Sequence, residues 1–205
     1  MSADDVSELL ASIEATPIAT VITNPHLPDN PIVAANRAFE TLTGYGEAEV
    51  RGRNCRFLAG PETEPEWQAV LRRAVAEGRP ALTELTNYKK DGTPFRNAVM
   101  IAPVLDEMRQ VALFIGSQMD VGGQSPLSGA QRARAGEQVA GLTTRQRQVL
   151  DHMIRGYRNK QIAGFLGIDE KTVKMHRAGL LTRLGAASSA DAIRIGVEAG
   201  LSGPG

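Results

Sequence analysis

The sequence predicts an α+β domain, an antiparallel sheet with flanking short helices, followed by an all-α domain. The first observation is a set of five strand-like runs, at 18–24, 31–36, 80–90, 94–105 and 109–120. Asp91 and Gly92, a tight-turn pair, join the third run to the fourth. The second observation is that the pattern after Gly141 is helical to the end of the chain.

Two predicted helices interrupt the strands. Residues 36–45 form a short one that stops at Gly44, and residues 64–78 place apolar side chains at helical spacing and stop at Gly78. Several strands interrupted by short helices are typical of an α+β fold. We therefore expect five segments: an N-terminal extension, the α+β domain, a linker with a candidate helix at 130–140, the helical domain and a tail, at 1–15, 16–121, 122–140, 141–201 and 202–205.

Composition narrows the class of protein. The chain of 205 residues is 42% hydrophobic and 22% charged, which is typical of a soluble globular protein. Its single cysteine excludes an internal disulfide and suits a reducing compartment. The acidic N-terminus lacks the pattern of a signal peptide, and no apolar run approaches the roughly 18 residues of a membrane span. The expected location is the cytoplasm, with no membrane and no metal as partners.

Charge is distributed unevenly along the chain. Residues 141–205 contain 10 Lys and Arg against 5 Asp and Glu, whereas residues 1–140 contain 13 against 18. This asymmetry fits two modules, of which the second faces a polyanion, although chance variation would give the same balance.

Three carboxamides occupy unexpected positions in the predicted strands. Asn87, Asn97 and Gln118 each alternate with apolar residues such as Val99 and Phe114, so they share a sheet face with them. Burying an amide without a partner costs about 1–3 kcal/mol. The amides either bond to one another and to ordered water, or they bind a flat ligand whose edge alternates donors and acceptors, as the pyrimidine edge of a flavin does.

Arginines offer a second clue to a ligand. Arg56 lies one residue after the cysteine, and Arg72 and Arg73 lie on the predicted 64–78 helix. A guanidinium group chelates phosphate well, although a surface arginine is usually only a solvated charge. Amides, arginines and apolar residues together suit a phosphorylated aromatic cofactor.

The segment GRNCRFLAG, residues 52–60, resembles the signature of LOV domains, FMN-binding blue-light sensors of the PAS superfamily. The resemblance extends through TNPHLPDNPIVAANRAFETLTGY, NYKKDGTPFRNAV and FIGSQMDV, about residues 16–121. It implies that Cys55 is a photoreactive thiol. It also implies a set of cofactor-binding residues: Asn54, Cys55, Arg56, Leu58, Arg72, Asn87, Asn97, Phe114 and Gln118.

Within that set the resemblance assigns the three carboxamides to the pyrimidine edge and the two arginines to the phosphate. Arg73 aligns one place beside the usual arginine and is left out. The chain departs from the family at Ala59, where a glutamine is usual, which affects a polar contact to the ribityl chain or ring.

In LOV domains blue light drives addition of the thiol to flavin carbon C4a, and the flavin N5 gains a proton. The resemblance therefore implies that Gln118 faces the N5 acceptor before the thiol adds and a protonated N5, which is a donor, afterwards. It also implies that the Gln118 side chain reorients in response. Because Gln118 lies on the last predicted strand, the change can reach the surface of the sheet.

The helical domain contains a helix-turn-helix pattern. Asn159 is expected to cap a helix that stops at Gly167, and Asp169 to cap the next one after a three-residue turn. Val173, Leu180 and Leu184 form the buried stripe of that second helix.

The segment NKQIAGFLGIDEKTVKMHR resembles the core of the LuxR-type DNA-binding domain, which implies four helices and dimeric binding of double-stranded DNA. Lys171, Thr172, Lys174 and Met175 are expected at base edges in the major groove. The candidate phosphate contacts are Arg158, Lys160 and Arg177.

The fourth helix of this domain is unusually apolar. Ser188 or Ser189 is expected to cap it, and its apolar residues are Ala192, Ile193, Ile195, Val197 and Ala199. This surface belongs either to the domain's own core or to an interface shared between a dimer partner and the sensor sheet.

These observations predict a blue-light-regulated transcription factor, not an enzyme, in which a reversible Cys55–flavin adduct releases the helix-turn-helix for homodimerisation and DNA binding. One alternative is a flavin-based redox or ligand sensor without adduct photochemistry. Another alternative is a flavoenzyme. The sequence shows neither a second catalytic group nor a nicotinamide-binding glycine motif, and both absences argue against it. The last alternative is a constitutive regulator that does not respond to light.

Overall fold

The computed structural model describes residues 3–122 and 129–201 of the chain. Its first half contains one antiparallel sheet of five strands in the order β2-β1-β5-β4-β3. The strands are β1 Ala19–Thr23, β2 Ile32–Ala35, β3 Ala81–Tyr88, β4 Pro94–Leu105 and β5 Val111–Asp120. All five predicted strands and the antiparallel sheet are confirmed.

Strand register sorts the side chains onto two faces. Asn97 pairs with Leu85 across β3 and β4, and Val99 pairs with Gln118 across β4 and β5. Because alternate residues of a strand share a face, the three carboxamides point to one side of the sheet. Met100, one position along β4 from Val99, points to the other.

Short helices lie against the carboxamide side, here called the inner face. They are α2 Arg37–Thr43, α3 Glu47–Val50, a 3₁₀ helix Cys55–Leu58 and α4 Pro65–Glu77. Asn36 caps α2 by accepting the Phe39 amide at 3.0 Å, and its Oδ1 also accepts the Thr20 amide at 2.9 Å. Gly44 ends α2 with φ of +77°, a conformation that favours glycine.

A helix that the sequence analysis treated only as an extension begins the chain. This helix, α1 Ala3–Glu14, packs on the opposite, outer face of the sheet. Ile13 is buried there with Ile22 and Leu113. Leu9 and Ile13 lie four residues apart, which is the helical spacing that marks the buried face of α1.

The second half is helical, as predicted. Its helices are α5 Gly129–Ala140, α6 Thr144–Ile154, α7 Asn159–Leu166, α8 Glu170–Leu184 and α9 Ser189–Glu198. Asp169 caps α8 by accepting the Thr172 amide at 2.6 Å, and Ser188 caps α9. The buried stripe of Val173, Leu180 and Leu184 is confirmed.

The prediction that Asn159 caps α7 is wrong. Arg158 occupies the cap position, and its backbone amide donates to the Gln161 side chain at 2.9 Å. Asn159 is the first residue of the helix, and its Oδ1 accepts a hydrogen bond from Arg177 at 2.6 Å. The asparagine is thus used to join two helices, a tertiary contact that capping preferences do not reveal.

Helix α5 confirms the candidate helix at 130–140, while most of the predicted linker, residues 123–128, lies outside the described residues. Ala135 and Val139 are buried in the same hydrophobic cluster as the other helices, and the Gln138 side chain donates to the Leu184 carbonyl at 2.8 Å. Helix α5 therefore packs as part of the helical region. No helix between residues 3 and 201, as far as that range is described, is long and apolar enough to cross a membrane.

Candidate cofactor cavity and nucleic-acid interface

A cavity of about 510 Å³ lies between the inner face of the sheet, the 3₁₀ helix and α4. All nine residues predicted to bind a cofactor line it: Asn54, Cys55, Arg56, Leu58, Arg72, Asn87, Asn97, Phe114 and Gln118. They come from five elements or loops that are distant in sequence, so the fold brings the whole predicted set together. Their roles toward a cofactor stay predictions.

The three carboxamides are not equally satisfied by the protein. The Asn97 Nδ2 donates to Asn87 Oδ1 at 2.8 Å, and the Asn97 Oδ1 accepts the Met119 amide at 3.1 Å. The Gln118 Oε1 is buried and has no hydrogen-bond partner within the described chain. Because a buried acceptor without a partner costs about 1–3 kcal/mol, this end of the cavity suits a ligand that carries a donor.

Cys55 is the first residue of the 3₁₀ helix. Asn54 fixes this turn, because its Oδ1 accepts the Arg56 amide at 3.0 Å and its Nδ2 donates to the Asp29 carbonyl at 2.5 Å. Burial raises the pKa of the Cys55 thiol to about 12. A raised pKa of this kind favours the neutral thiol at ordinary pH, unlike the lowered pKa of a reactive cysteine.

The predicted phosphate-binding arginines lie at the solvent-facing end of the cavity. Arg56 pairs with the Asp29 carboxylate, and both side chains are more than half exposed. Arg72 is exposed on α4. Both arginines line the cavity and are exposed to solvent, which suits contact with an anionic group at the open end.

Sequence reasoning missed several lining residues. Gln68, Leu71 and Val75 of α4 line the cavity together with Arg72. Their spacing of three, four and seven residues marks one helix face, so the helical periodicity already contained this signal. Asn30 also lines the cavity and has a buried Oδ1 without a partner in the described chain; it lies in a loop, where no periodicity marks it.

The outer face of the sheet is covered by the helical region. Met100 and Ala102 of β4 are buried in one hydrophobic cluster with residues of α5, α6, α7, α8 and α9. Helix α9 contacts β3 and β5 as well as its helical neighbours. Ile193 and Ile195 of this helix are almost fully buried.

Charged side chains are also buried on α9. Arg194 bonds to Asp191 at 2.7 Å and pairs with Glu198, and all three are largely shielded from solvent. Burial raises the pKa of Glu198, although Arg194 opposes the shift. Arg194 and Glu198 border a small space against Ser117, Gln118 and Met119 of β5. Thus β5 has the cavity on one face and α9 on the other.

A second contact joins the two halves at the β4–β5 hairpin. The Leu105 amide donates to the Gly156 carbonyl at 3.0 Å, and the Gln161 side chain donates to the Asp106 carbonyl at 2.7 Å. The Arg109 guanidinium lies 4.6 Å from the centre of the Phe165 ring. The hairpin therefore holds the loop between α6 and α7 and the end of α7.

The residues predicted to read DNA bases are mostly accessible. Lys171, Lys174 and Met175 are exposed on the N-terminal half of α8, and Met175 is 63% exposed. Thr172 is partly buried by the cap, where its hydroxyl donates to Asp169 at 3.0 Å. Lys174 lies 3.5 Å from the Glu170 carboxylate, and an exposed helix end that presents lysines suits the major groove.

The predicted phosphate contacts occupy a different position. Arg158, Lys160 and Arg177 line a cleft between the helical region and the sensor half, together with Glu107 of the hairpin. Arg177 donates to Asn159 and, at 2.6 Å, to Ser189. These cations thus face the first half of the chain in this arrangement.

Comparisons with known proteins agree with this division. Residues 17–122 match the PAS domain family, and residues 140–195 match the bacterial regulatory proteins of the luxR family. A blue-light-activated histidine kinase of Brucella anthropi is 44% identical over 117 residues, which are 57% of this chain and 24% of the kinase. The chain therefore spans about a quarter of that relative's length.

Solved structures of light-oxygen-voltage (LOV) domains are also similar. One, described as "Flavin Analogue Sheds Light on Light-Oxygen-Voltage Domain Mechanism", is 42% identical, with a TM-score of 0.53, and the match covers 56% of this chain and 84% of that one. The light-state structure of the photoreceptor Aureochrome1 LOV is 41% identical, with a TM-score of 0.50 and coverage of 57% and 88%.

The PAS match covers more than half of the chain. Together with the cavity on one face of the sheet and the helix-turn-helix on the other, it leads to one assignment. The chain belongs to the PAS family and consists of a LOV-type sensor followed by a luxR-type helix-turn-helix region.

Proposed function

We propose that this chain is a blue-light-regulated, DNA-binding transcription factor whose sensor binds FMN. One observation carries the proposal: β5 has the cavity, with Gln118, on its inner face and the apolar helix α9 on its outer face. A change in hydrogen bonding inside the cavity therefore has only one strand to cross before it reaches the helix-turn-helix region.

The cavity residues fit FMN by their chemistry. Asn87, Asn97 and Gln118 would hold the pyrimidine edge, and the unpartnered Gln118 Oε1 calls for a donor of the kind that this edge carries. Arg56 and Arg72 would hold the phosphate at the open end. Leu58 and Phe114, both nearly fully buried, would contact the ring, and Asn54 would lie against it.

The thiol and the carboxamide would perform the switch. Bound FMN would supply blue-light absorption and a ring to which a thiol adds reversibly, the S–H hydrogen passing to a ring nitrogen. Cys55 suits this addition because burial keeps its proton in place in the dark. Gln118 can exchange acceptor for donor by rotating its amide, which would alter the hydrogen bonding of β5.

Release of α9 would be the output. In the dark the outer face of the sheet covers this helix, and the freed helix would form a homodimer that places two α8 helices on double-stranded DNA. Lys171, Thr172, Lys174 and Met175 would contact bases. Arg158, Lys160 and Arg177 would contact phosphates once the cleft opens. Moving such an equilibrium from 1:99 to 99:1 takes about 5.5 kcal/mol of differential stabilisation.

The test is a mobility shift of the full chain in the dark and under blue light, on a duplex selected from random sequence with the illuminated protein. The proposal predicts stronger binding in light, lost in Cys55→Ser, and an affinity that falls with salt in proportion to the phosphates contacted. A light response that survives Cys55→Ser would favour flavin-based redox or ligand sensing instead.

A further inference from the structure

We propose that Gln68 on α4 is a further cofactor-contacting residue, which hydrogen-bonds the ribityl chain of the flavin; this rests on the FMN-binding function proposed above. Gln68 lines the cavity with Leu71, Arg72 and Val75. These four residues form one face of α4, so the carboxamide is directed to the same space as the predicted phosphate ligand Arg72.

The Gln68 side chain has hydrogen-bonding capacity to spare. Within residues 3–122 and 129–201 its carboxamide makes no hydrogen bond, although the side chain is partly buried. A carboxamide offers two donors and an acceptor with two lone pairs. A partly shielded amide without a protein partner at a cavity wall is suited to a polar ligand.

The end of the 3₁₀ helix contributes no polar side chain to the cavity lining. Leu58 and Ala59, at the end of the 3₁₀ helix, line the cavity with hydrocarbon only. A ribityl chain carries several hydroxyl groups, and each one buried against hydrocarbon without a partner is unfavourable. Gln68 is the uncharged polar residue that α4 contributes to the cavity lining.

Position along the cavity identifies the part of the cofactor. The N-terminal end of α4 is tied to β3, because the Glu64 carboxylate accepts the Thr86 amide at 2.8 Å. Thr86 is adjacent to Asn87, which belongs to the pyrimidine end. Gln68 lies between that end and Arg72, about one helical turn of 5.4 Å from the arginine. A flavin whose ring lay at Asn87 and whose phosphate lay at Arg72 would therefore place its ribityl chain beside Gln68.

The experiment compares the affinities of FMN and riboflavin for the full chain, measured by flavin fluorescence after removal and re-addition of the cofactor. Gln68→Leu is expected to weaken both flavins by about two- to tenfold, the range for one hydrogen bond. Arg72→Leu is expected to weaken FMN alone, since riboflavin has no phosphate. The matched control is Gln110→Leu, the same change at an exposed position of the sensor.

A second variant guards against a general effect on folding. Adding Ala59→Gln to Gln68→Leu gives the cavity a carboxamide at the end of the 3₁₀ helix instead, and it is expected to recover at least part of both affinities. Unchanged affinities in Gln68→Leu would overturn the inference, and so would a loss confined to FMN, which would assign Gln68 to the phosphate. A wild-type chain that binds neither flavin would instead refute the proposed function.

Discussion

Gly156 offers a direct way to disturb the contact between sensor and helix-turn-helix. It has φ of +84°, and a Cβ added there would lie 2.5 Å from the Pro103 carbonyl oxygen and 3.2 Å from Leu105 Cγ. The obstacle is backbone, which cannot rotate away. We therefore expect Gly156→Ala to push the helical region away from the β4–β5 hairpin.

The size of the effect follows from what is lost. Separation would break the hydrogen bond from the Leu105 amide to the Gly156 carbonyl, worth about 0.5–1.5 kcal/mol net. The strain of alanine at positive φ, about 1–3 kcal/mol, is present whether or not the halves are in contact, so it cancels from the docking equilibrium. From this hydrogen bond alone, docking should weaken by about 1 kcal/mol, roughly a fivefold change, and loss of the hydrogen bond from Gln161 to Asp106 would increase it.

The assay is dark-state affinity for the selected duplex, together with hydrogen exchange of the α9 amides. Gly156→Ala should raise dark binding about fivefold and speed exchange in α9, with the lit-state affinity nearly unchanged. Gly185→Ala is the matched control, because Gly185 also has positive φ, at +65°, but its added Cβ would meet open space. Equal dark affinities for the two variants would refute a docking role for the hairpin contact.

Three further predictions concern the interface, the thiol and the fold. Met100→Ala should lose about 2–5 kcal/mol of stability to unfolding and raise dark DNA binding, whereas exposed Met108→Ala should do neither; equal denaturation midpoints would contradict the burial argument. The Cys55 pKa of about 12 lies above its ordinary 9.0, so the stability that this thiol contributes is present below about pH 9 and is lost as the pH rises toward 12. The free energy of unfolding should therefore fall less with rising pH in Cys55→Ser than in the wild-type chain. Identical pH curves for the two proteins would argue against a buried thiol. Asp169→Ala should cost about 1 kcal/mol in denaturant unfolding by removing the cap of α8, and no change would mean that the cap is dispensable.

Much of the fold was predictable because local patterns and tertiary structure agree. The β-branched runs, the Asp91-Gly92 turn and the caps at Asp169 and Ser188 each act over a few residues, and each reappears in the structure. The buried stripe of α8 followed from helical periodicity alone. Where several local signals agree, the sequence is a sufficient guide.

The parts that escaped prediction depend on long-range contacts. The approach of Gly156 to Pro103 joins residues 53 positions apart in the chain, and no local pattern marks it. Asn159 was expected to cap α7 but accepts from Arg177 instead. The hairpin contacts of Asp106 and Arg109 have no local signature, since exposed loop residues reveal their partners only in three dimensions.

The candidate site shows the same division. Strand alternation placed Asn87, Asn97 and Gln118 on one face of the sheet. Only the structure shows that Gln118 is the one whose side-chain oxygen lacks a hydrogen-bond partner within the described residues. The resemblance to LOV domains supplied Cys55 and the two arginines. Gln68 was missed because the periodicity of α4 marks the face that it shares with Leu71 and Val75, but only the structure shows that a cavity lies beside that face.

The most direct test of the central claim is the absorption spectrum of the purified full chain before and after a blue flash. If light drives the Cys55–flavin adduct, the wild-type chain shows a bound-flavin band in the blue that bleaches on the flash and recovers in the dark. The band of Cys55→Ser does not bleach in this way. A bound flavin whose band is unchanged by the flash in the wild-type chain would contradict the claim that Cys55 and light control the helix-turn-helix.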